Sequence, residues 1–181
     1  MKSERLKKLY PILLIILVIV ISVSLLVASE SITRTALEAR QDQETLELLR
    51  GIFPEAHFYT YNEDTEIYTL YNNGRNEIGY AFYGSDLGYI SNITVLVGLK
   101  DKETIRGIIT TEQYETWSYW KMLEDNNFFE QFDGLKIEDC ALSHPSGLGG
   151  KVDGVSRATY SCRGVVDAVR KAALEKIEYL N

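Results

Sequence analysis

An uncharged apolar run from Leu9 to Ala28, LYPILLIILVIVISVSLLVA, is the strongest single constraint on this chain. A helix over those 20 residues would measure about 30 Å at roughly 1.5 Å per residue, the thickness of a bilayer's hydrocarbon core. Tyr10 suits the headgroup region, Pro11 is tolerated in a first helical turn, and Ser22 and Ser24 can bond back to helix carbonyls. A cleaved signal peptide is the rival reading, with Val27-Ala28-Ser29 as a loose cleavage site. Its apolar region would span only about 7–15 residues and end on small residues. The run therefore predicts an uncleaved transmembrane helix over residues 9–28. Lys2, Arg5, Lys7 and Lys8 make residues 1–8 a basic tip, cytoplasmic by the positive-inside rule. The remainder is then expected on the extracytoplasmic side of the cell membrane, in a single-pass arrangement.

That remainder has the composition of a folded domain: the chain of 181 residues is 45% hydrophobic and 25% charged, which excludes a disordered polymer. Four of the 19 Lys and Arg residues lie in the tip, so the body is more acidic than the net charge of -7 suggests. An acidic body lacks the basic face of a nucleic-acid binder. Two cysteines exclude a disulfide-dense scaffold and a four-cysteine zinc site.

Residues 29–51 read as a membrane-proximal helix, because residues 31–50 contain no Gly or Pro and Gly51 with Pro54 supplies a stop. His57–Tyr61, Glu66–Tyr71 and Ile78–Tyr83 read as strands, separated by the turn groups Asn72-Asn73-Gly74 and Gly84-Ser85-Asp86. Ile93–Leu99 and Ile105–Thr111 form a hairpin across a charged turn. From Thr116 to Phe132 the period becomes helical, and Asn126-Asn127 divides it into two short helices. Leu135–Leu142 reads as a further strand and Ser143–Gly154 as a glycine-rich loop. The last helix carries Val165, Val166, Val169, Ala172, Ala173 and Ile177 on one face. The sum is a single α+β domain.

The chemistry concentrates at the entrance to that helix, Gly149-Gly150-Lys151-Val152-Asp153-Gly154-Val155-Ser156-Arg157-Ala158-Thr159-Tyr160-Ser161. Small residues and hydroxyls there meet unpaired backbone N–H groups and the positive end of the helix dipole, a setting that suits a phosphate. Arg157 would add a charge-assisted contact. The plainer alternative is that Ser156 or Thr159 simply caps the helix and the glycines simply turn the chain.

Asp153-Gly154-Val155-Ser156-Arg157-Ala158-Thr159 resembles the Asp-x-x-Ser/Thr-Gly-Ala-Thr signature of the FMN-binding domain found in the G subunit of Rnf complexes and the C subunit of sodium-translocating NADH:quinone reductases. Gly88-Tyr89, the hairpin after it, Glu112–Thr116 and Phe128–Phe132 are also similar. The resemblance implies a central twisted, largely antiparallel sheet flanked by helices, an FMN-binding domain over residues 52–181, and one membrane helix before it. It also implies FMN held covalently through a phosphoester to Thr159, attached by a separate flavin transferase. Asp153, Ser156, Arg157, Ala158, Glu115 and Thr116 are the implied cofactor-binding residues. The partners implied are other membrane subunits of a redox complex, with the bilayer meeting residues 9–28. On this reading the protein is an electron-transfer subunit of an ion-translocating oxidoreductase rather than an enzyme alone, with no catalytic residue of its own. Two positions depart from the family: Arg157 stands in the signature's glycine position, and Trp117-Ser118-Tyr119 follows Thr116 where Pro-Gly-Leu-Gly is usual.

A cofactor-free assembly domain of the same fold and a stand-alone extracytoplasmic flavin reductase remain as alternatives. The aromatic residues are mostly expected in the core or on strand faces, with Trp117, Tyr119 and Trp120 the best exceptions by position. His57, His144 and the two cysteines have no metal-site spacing. Cys140 and Cys162 are open to either a disulfide or free thiols. Asn92-Ile93-Thr94 matches a glycosylation acceptor, but Ile93 opens a strand.

Overall fold

A computed structural model of the chain describes Leu14 and residues 16–25, 41–143 and 149–180. Two compact units emerge, Met1–Thr45 and Leu46–Asn181. In the first, residues 16–25 and 41–45 are helical, and the apolar side chains of residues 16–25 are exposed. Ser24 Oγ donates to the Val20 carbonyl at 2.8 Å, the back-bond that lets a serine sit in an apolar helix. Among the described residues no helix is long and apolar enough to cross a membrane. The expected tip 1–8 lies outside the described residues, as do parts of the expected span 9–28 and of the membrane-proximal helix 29–51.

The second unit opens on the end of a helix, α1 (residues 46–50), and a turn through Phe53 and Ala56. Five strands follow in sequence order, β1 (Phe58–Asn62), β2 (Ile67–Tyr71), β3 (Glu77–Leu87), β4 (Asn92–Leu99) and β5 (Ile105–Glu112). They form one sheet in the order β1-β2-β3-β4-β5, every pair antiparallel. The β2–β3 turn closes as its Asn and Gly content suggests: Asn72 accepts from Arg75 N–H on its carbonyl and from Asn76 N–H on Oδ1. The β4–β5 turn is held by Asp101 Oδ1, which accepts from Glu103 and Thr104 N–H at 2.9 and 2.8 Å.

Two expectations need correction. Gly84-Ser85-Asp86 is not a turn but the continuation of β3. A Cβ on Gly84 would press into the Ala168 carbonyl oxygen and meet Ala172 Cβ at 2.8 Å, so this glycine admits a helix backbone rather than bending the strand. Leu135–Leu142 is not a strand: Ile137–Asp139 is a short 3₁₀ turn, and only isolated bridges, Thr104–Lys136 and Leu142–Val152, touch the segment.

Helix α2 (Trp117–Asp125) ends at Asn126, as the paired asparagines suggest, and Phe129–Phe132 makes a 3₁₀ turn. Helix α3 (Thr159–Lys176) then crosses β3 and β4. Its buried Val165, Val166, Val169, Ala172 and Ala173 meet Phe82, Val95 and Val97 of the sheet, with Leu123, Phe128 and Phe132 alongside. A fully buried Val or Phe contributes about 1.5–3 kcal/mol, and this face holds most of the core. The opposite face is covered by a smaller cluster of Leu49, Ile52, Phe53, Leu70, Ala81 and Leu96. The sheet thus serves as a platform that carries the N-terminus of α3 beside the β3–β4 turn.

Candidate functional site

Helix α3 begins without the cap its sequence offers. Ala158 occupies the N-cap position, and no side chain of the described residues bonds the first turn, so neither Ser156 nor Thr159 is a capping residue. Thr159 is the first helical residue and is exposed, as is Ser156. The first paired amide in the turn is that of Cys162, which donates to the Ala158 carbonyl at 3.0 Å. The N–H groups of Thr159, Tyr160 and Ser161 have no acceptor among the described residues. Immediately before the cap, Arg157 has φ 70°, a left-handed conformation that glycine adopts at no steric cost.

The loop leading to Arg157 is pinned from the side. Gln131 holds the Asp153 backbone at two points, its Oε1 accepting the N–H at 2.7 Å and its Nε2 donating to the carbonyl at 3.1 Å. Ser143 Oγ donates to Asp153 Oδ1 at 2.7 Å. Asp153 is therefore held at its backbone by Gln131 and at its carboxylate by Ser143, which sets the loop's course.

Glu115 is buried and ties three segments together. Its Oε1 accepts the N–H groups of Tyr89 and Ile90 at 3.0 and 2.9 Å, and its Oε2 accepts the Ser161 hydroxyl. Burial alone would push this carboxyl up, but the amides of Ile90, Tyr89 and Ser91 with the Ser161 hydroxyl outweigh it and hold the carboxyl below the usual range. The pinned turn lies close to α3: a Cβ on Gly164 would sit 2.9 Å from Gly88 Cα and from the Leu87 carbonyl. Thr116 caps α2 through its backbone only, its carbonyl accepting from Tyr119 and Trp120 N–H at 2.9 and 3.0 Å.

These elements enclose a cleft of about 240 Å³ lined by Tyr89, Tyr119, Arg157, Ala158, Tyr160 and Ser161. Tyr89 makes edge and tilted contacts with Tyr119 (6.5 Å between centroids) and Tyr160 (6.0 Å), leaving all three rings accessible. Of the residues expected from sequence, Arg157 and Ala158 line the cleft and Thr159 lies between two lining residues. Glu115 stands behind it through Ser161, while Asp153, Ser156 and Thr116 are not among its lining residues. Trp120 is buried against Phe129, and Trp117 is 75% exposed. Sequence reasoning does not single out Tyr89, Tyr160, Ser161 or Gln131 as site residues. Only their adjacency to Gly88, to Thr159 and to the Phe128–Phe132 segment could have found them.

Both cysteines are free and buried. Burial pushes the Cys140 thiol up to about 12 and raises that of Cys162, whose sulfur accepts the Val155 N–H at 3.3 Å. Cys162 therefore braces the loop without a disulfide. His144 lies outside the described residues.

Residues 88–174 match the FMN-binding domain family, which spans the β3–β4 turn, the cleft and nearly all of α3. The G subunit of an ion-translocating oxidoreductase complex from Methanosarcina acetivorans is 27% identical over 172 residues, covering 89% of this chain and 90% of that protein. Among solved structures, the C subunit of the sodium-translocating NADH-quinone reductase of Parabacteroides distasonis matches with a TM-score of 0.51 at 21% identity, over 64% of this chain and 63% of that one. NqrC of Shewanella oneidensis aligns over 70% of this chain and 73% of its own, with a TM-score of 0.49 and 16% identity. The likeness to the Parabacteroides protein is one of fold. The chain thus resembles FMN-binding-domain proteins of the Rnf G-subunit type, as its sequence led us to expect.

Proposed function

We propose that this chain is a membrane-anchored flavoprotein subunit that carries FMN as a phosphoester on Thr159 and relays electrons within a membrane redox complex, Rnf-like and ion-translocating. The observation that carries the reading is the position of Thr159: an exposed residue at the start of a helix whose leading amides are unpaired among the described residues, beside an aromatic-walled cleft. The residues present fit the group. The open N–H groups of Thr159, Tyr160 and Ser161 and the Arg157 guanidinium would hold the phosphodiester's negative charge. Tyr89, Tyr119 and Tyr160 would flank the ring system and exclude water from it. The cleft is smaller than the roughly 300–1,000 Å³ of drug-sized ligand sites, so it suits a ring rather than a whole dinucleotide.

When bound, FMN supplies one- and two-electron transfer, and the protein's part is to hold and tune it. Glu115 keeps the Tyr89 turn against α3, and Gln131 with Ser143 fixes the loop before Arg157. On this reading a separate flavin transferase activates the Thr159 hydroxyl for attachment. Residues 9–28 serve as the anchor, residues 1–8 as the cytoplasmic tip, 29–51 as the membrane-proximal helix and 52–181 as the extracytoplasmic flavin domain. A relative named as part of an ion-translocating complex supports membrane partners.

The test is fluorescence of the denatured protein on a gel after co-expression with a flavin transferase and export. The wild-type band is expected to fluoresce and the Thr159→Ala band to be dark, with unchanged circular dichroism. A dark wild-type band would overturn the reading.

A further inference from the structure

Strand β5 closes one side of the sheet, paired with β4 and, among the described residues, with no other strand. Its first residue is bonded on the outside, where Ile105 exchanges backbone bonds with Gly134 and Leu135, and the Phe129–Phe132 turn packs beside the strand. From Arg106 to Glu112 the outward N–H and C=O groups meet no second strand among the described residues. Such an edge is a template for another strand, and folds usually protect it with charges, prolines or bulges along its length. Here the charges, Arg106 and Glu112, and the two bulges, at Arg106 and Thr111, stand only towards the ends, and Gly107-Ile108-Ile109-Thr110 between them carries neither.

Two grooves run beside this edge and share Ile108 and Phe129. One, of about 480 Å³, lies against Thr110, Glu112, Trp120 and Glu124. The other, of about 320 Å³, reaches Arg106, Glu130 and Asp133. Ile108, Trp120 and Phe129 are among the apolar residues that line them, while their charged groups are four carboxylates against one guanidinium. Thr110 Oγ1 is the buried side-chain polar atom left without a hydrogen-bond partner among the described residues, and Thr110 lines the larger groove.

We propose that β5 receives an extended segment of a partner protein that adds a sixth strand and bears basic side chains at alternating positions. Backbone pairing would supply affinity, and the side chains directed into the grooves would supply specificity. Residues two apart on a strand share a face. A Lys or Arg at one end would lay its methylene stem on Trp120 and place its charge between Glu112 and Glu124, within reach of Thr110 Oγ1. A second basic residue would meet Glu130 and Asp133, and an apolar residue between them would sit on Ile108 and Phe129. A second copy of this chain fits worse, because it would bring the same excess of carboxylates to the same grooves. The proposal rests on the edge and its grooves alone and stands apart from the flavin reading.

The test uses the full chain in detergent with two synthetic peptides at millimolar concentration, Thr-Lys-Thr-Val-Thr-Lys-Thr and its counterpart with Glu for Lys. Amide hydrogen exchange is followed by mass spectrometry. The Lys peptide is expected to slow exchange across residues 106–112 by at least about tenfold, and the Glu peptide to leave it unchanged. The double variant Glu112→Lys/Glu124→Lys, altered only at exposed carboxylates, is expected to lose that protection and to accept the Glu peptide. No protection by the Lys peptide, equal protection by both, or protection confined to other segments overturns the proposal. Protection of residues 106–112 without peptide, together with a dimer by sedimentation, overturns it in favour of pairing between copies.

Discussion

At its C-terminal end α3 is tied down by a buried side chain of its last turn. Lys176 is buried with its Nζ bonded to Glu66 at 3.2 Å and to Glu175 at 3.4 Å, a basic residue in the last turn where the dipole favours one. The chain then tightens into a 3₁₀ turn and buries Leu180. At its N-terminal end the same helix has no acidic residue in its first turn and no side-chain cap, and a left-handed arginine precedes it. Ordinary caps at that end contribute about 1 kcal/mol, so their absence beside an open cleft is a departure from the rule followed at the other end. The difference teaches where to look for a ligand: at the helix end whose donors the protein leaves unpaired.

The contrast can be broken most severely at the place where α3 touches the β3–β4 turn. Gly164→Val would push into Gly88 and the Leu87 carbonyl, and overpacking of this kind costs about 3 kcal/mol. Chemical denaturation should record that loss, and flavin attachment should fall with it because the Tyr89 turn is displaced. Next is Glu115→Gln, which removes the charge from three hydrogen bonds and should cost about 2 kcal/mol near neutral pH. The sign of its pH dependence follows from a folded-state carboxyl held below the ordinary value of 4.5. Its stabilisation is present above that value and is lost as pH falls through the lower folded-state value. Acid titrations of wild type and Glu115→Gln should therefore converge at low pH, and a constant offset would show that the charge is irrelevant.

At the closed end, Lys176→Ala removes a buried stem and its pairing with Glu66, whose carboxylate is mostly exposed, for a cost of about 1–2 kcal/mol. Attachment of flavin should be unaffected, which separates the structural end of α3 from the functional one. The smallest effect is expected from Arg157→Gly. Relief of the left-handed backbone should stabilise the fold by about 0.5–1 kcal/mol, while the loss of a cation beside the cleft should slow attachment. A variant that is both less stable and equally well flavinylated would assign Arg157 to the fold alone.

Much of the architecture was legible because it is encoded locally. The β4–β5 hairpin, the break at Asn126 and the buried face of α3 follow from spacing and turn chemistry within a few residues of one another. Gly84 was misread because a strand glycine that admits a helix backbone looks, in sequence, like one that turns the chain. The signature Asp153–Thr159 pointed to the helix entrance, but it did not separate Asp153, which steers the loop, from Arg157 and Ala158, which line the cleft.

What the sequence determined by itself was the apolar run, the α+β pattern and a phosphate-suited helix start at Thr159. Each of these depends on residues close together in the chain, where periodicity and helix-end geometry suffice. Only the tertiary structure decided that Glu115 reaches Ser161, 46 positions away, and that Tyr89, Tyr119 and Tyr160 wall one cleft. Those contacts exist because the sheet and α3 pack through Gly84 and Gly164, and packing over such separations leaves no periodic trace in the order of residues.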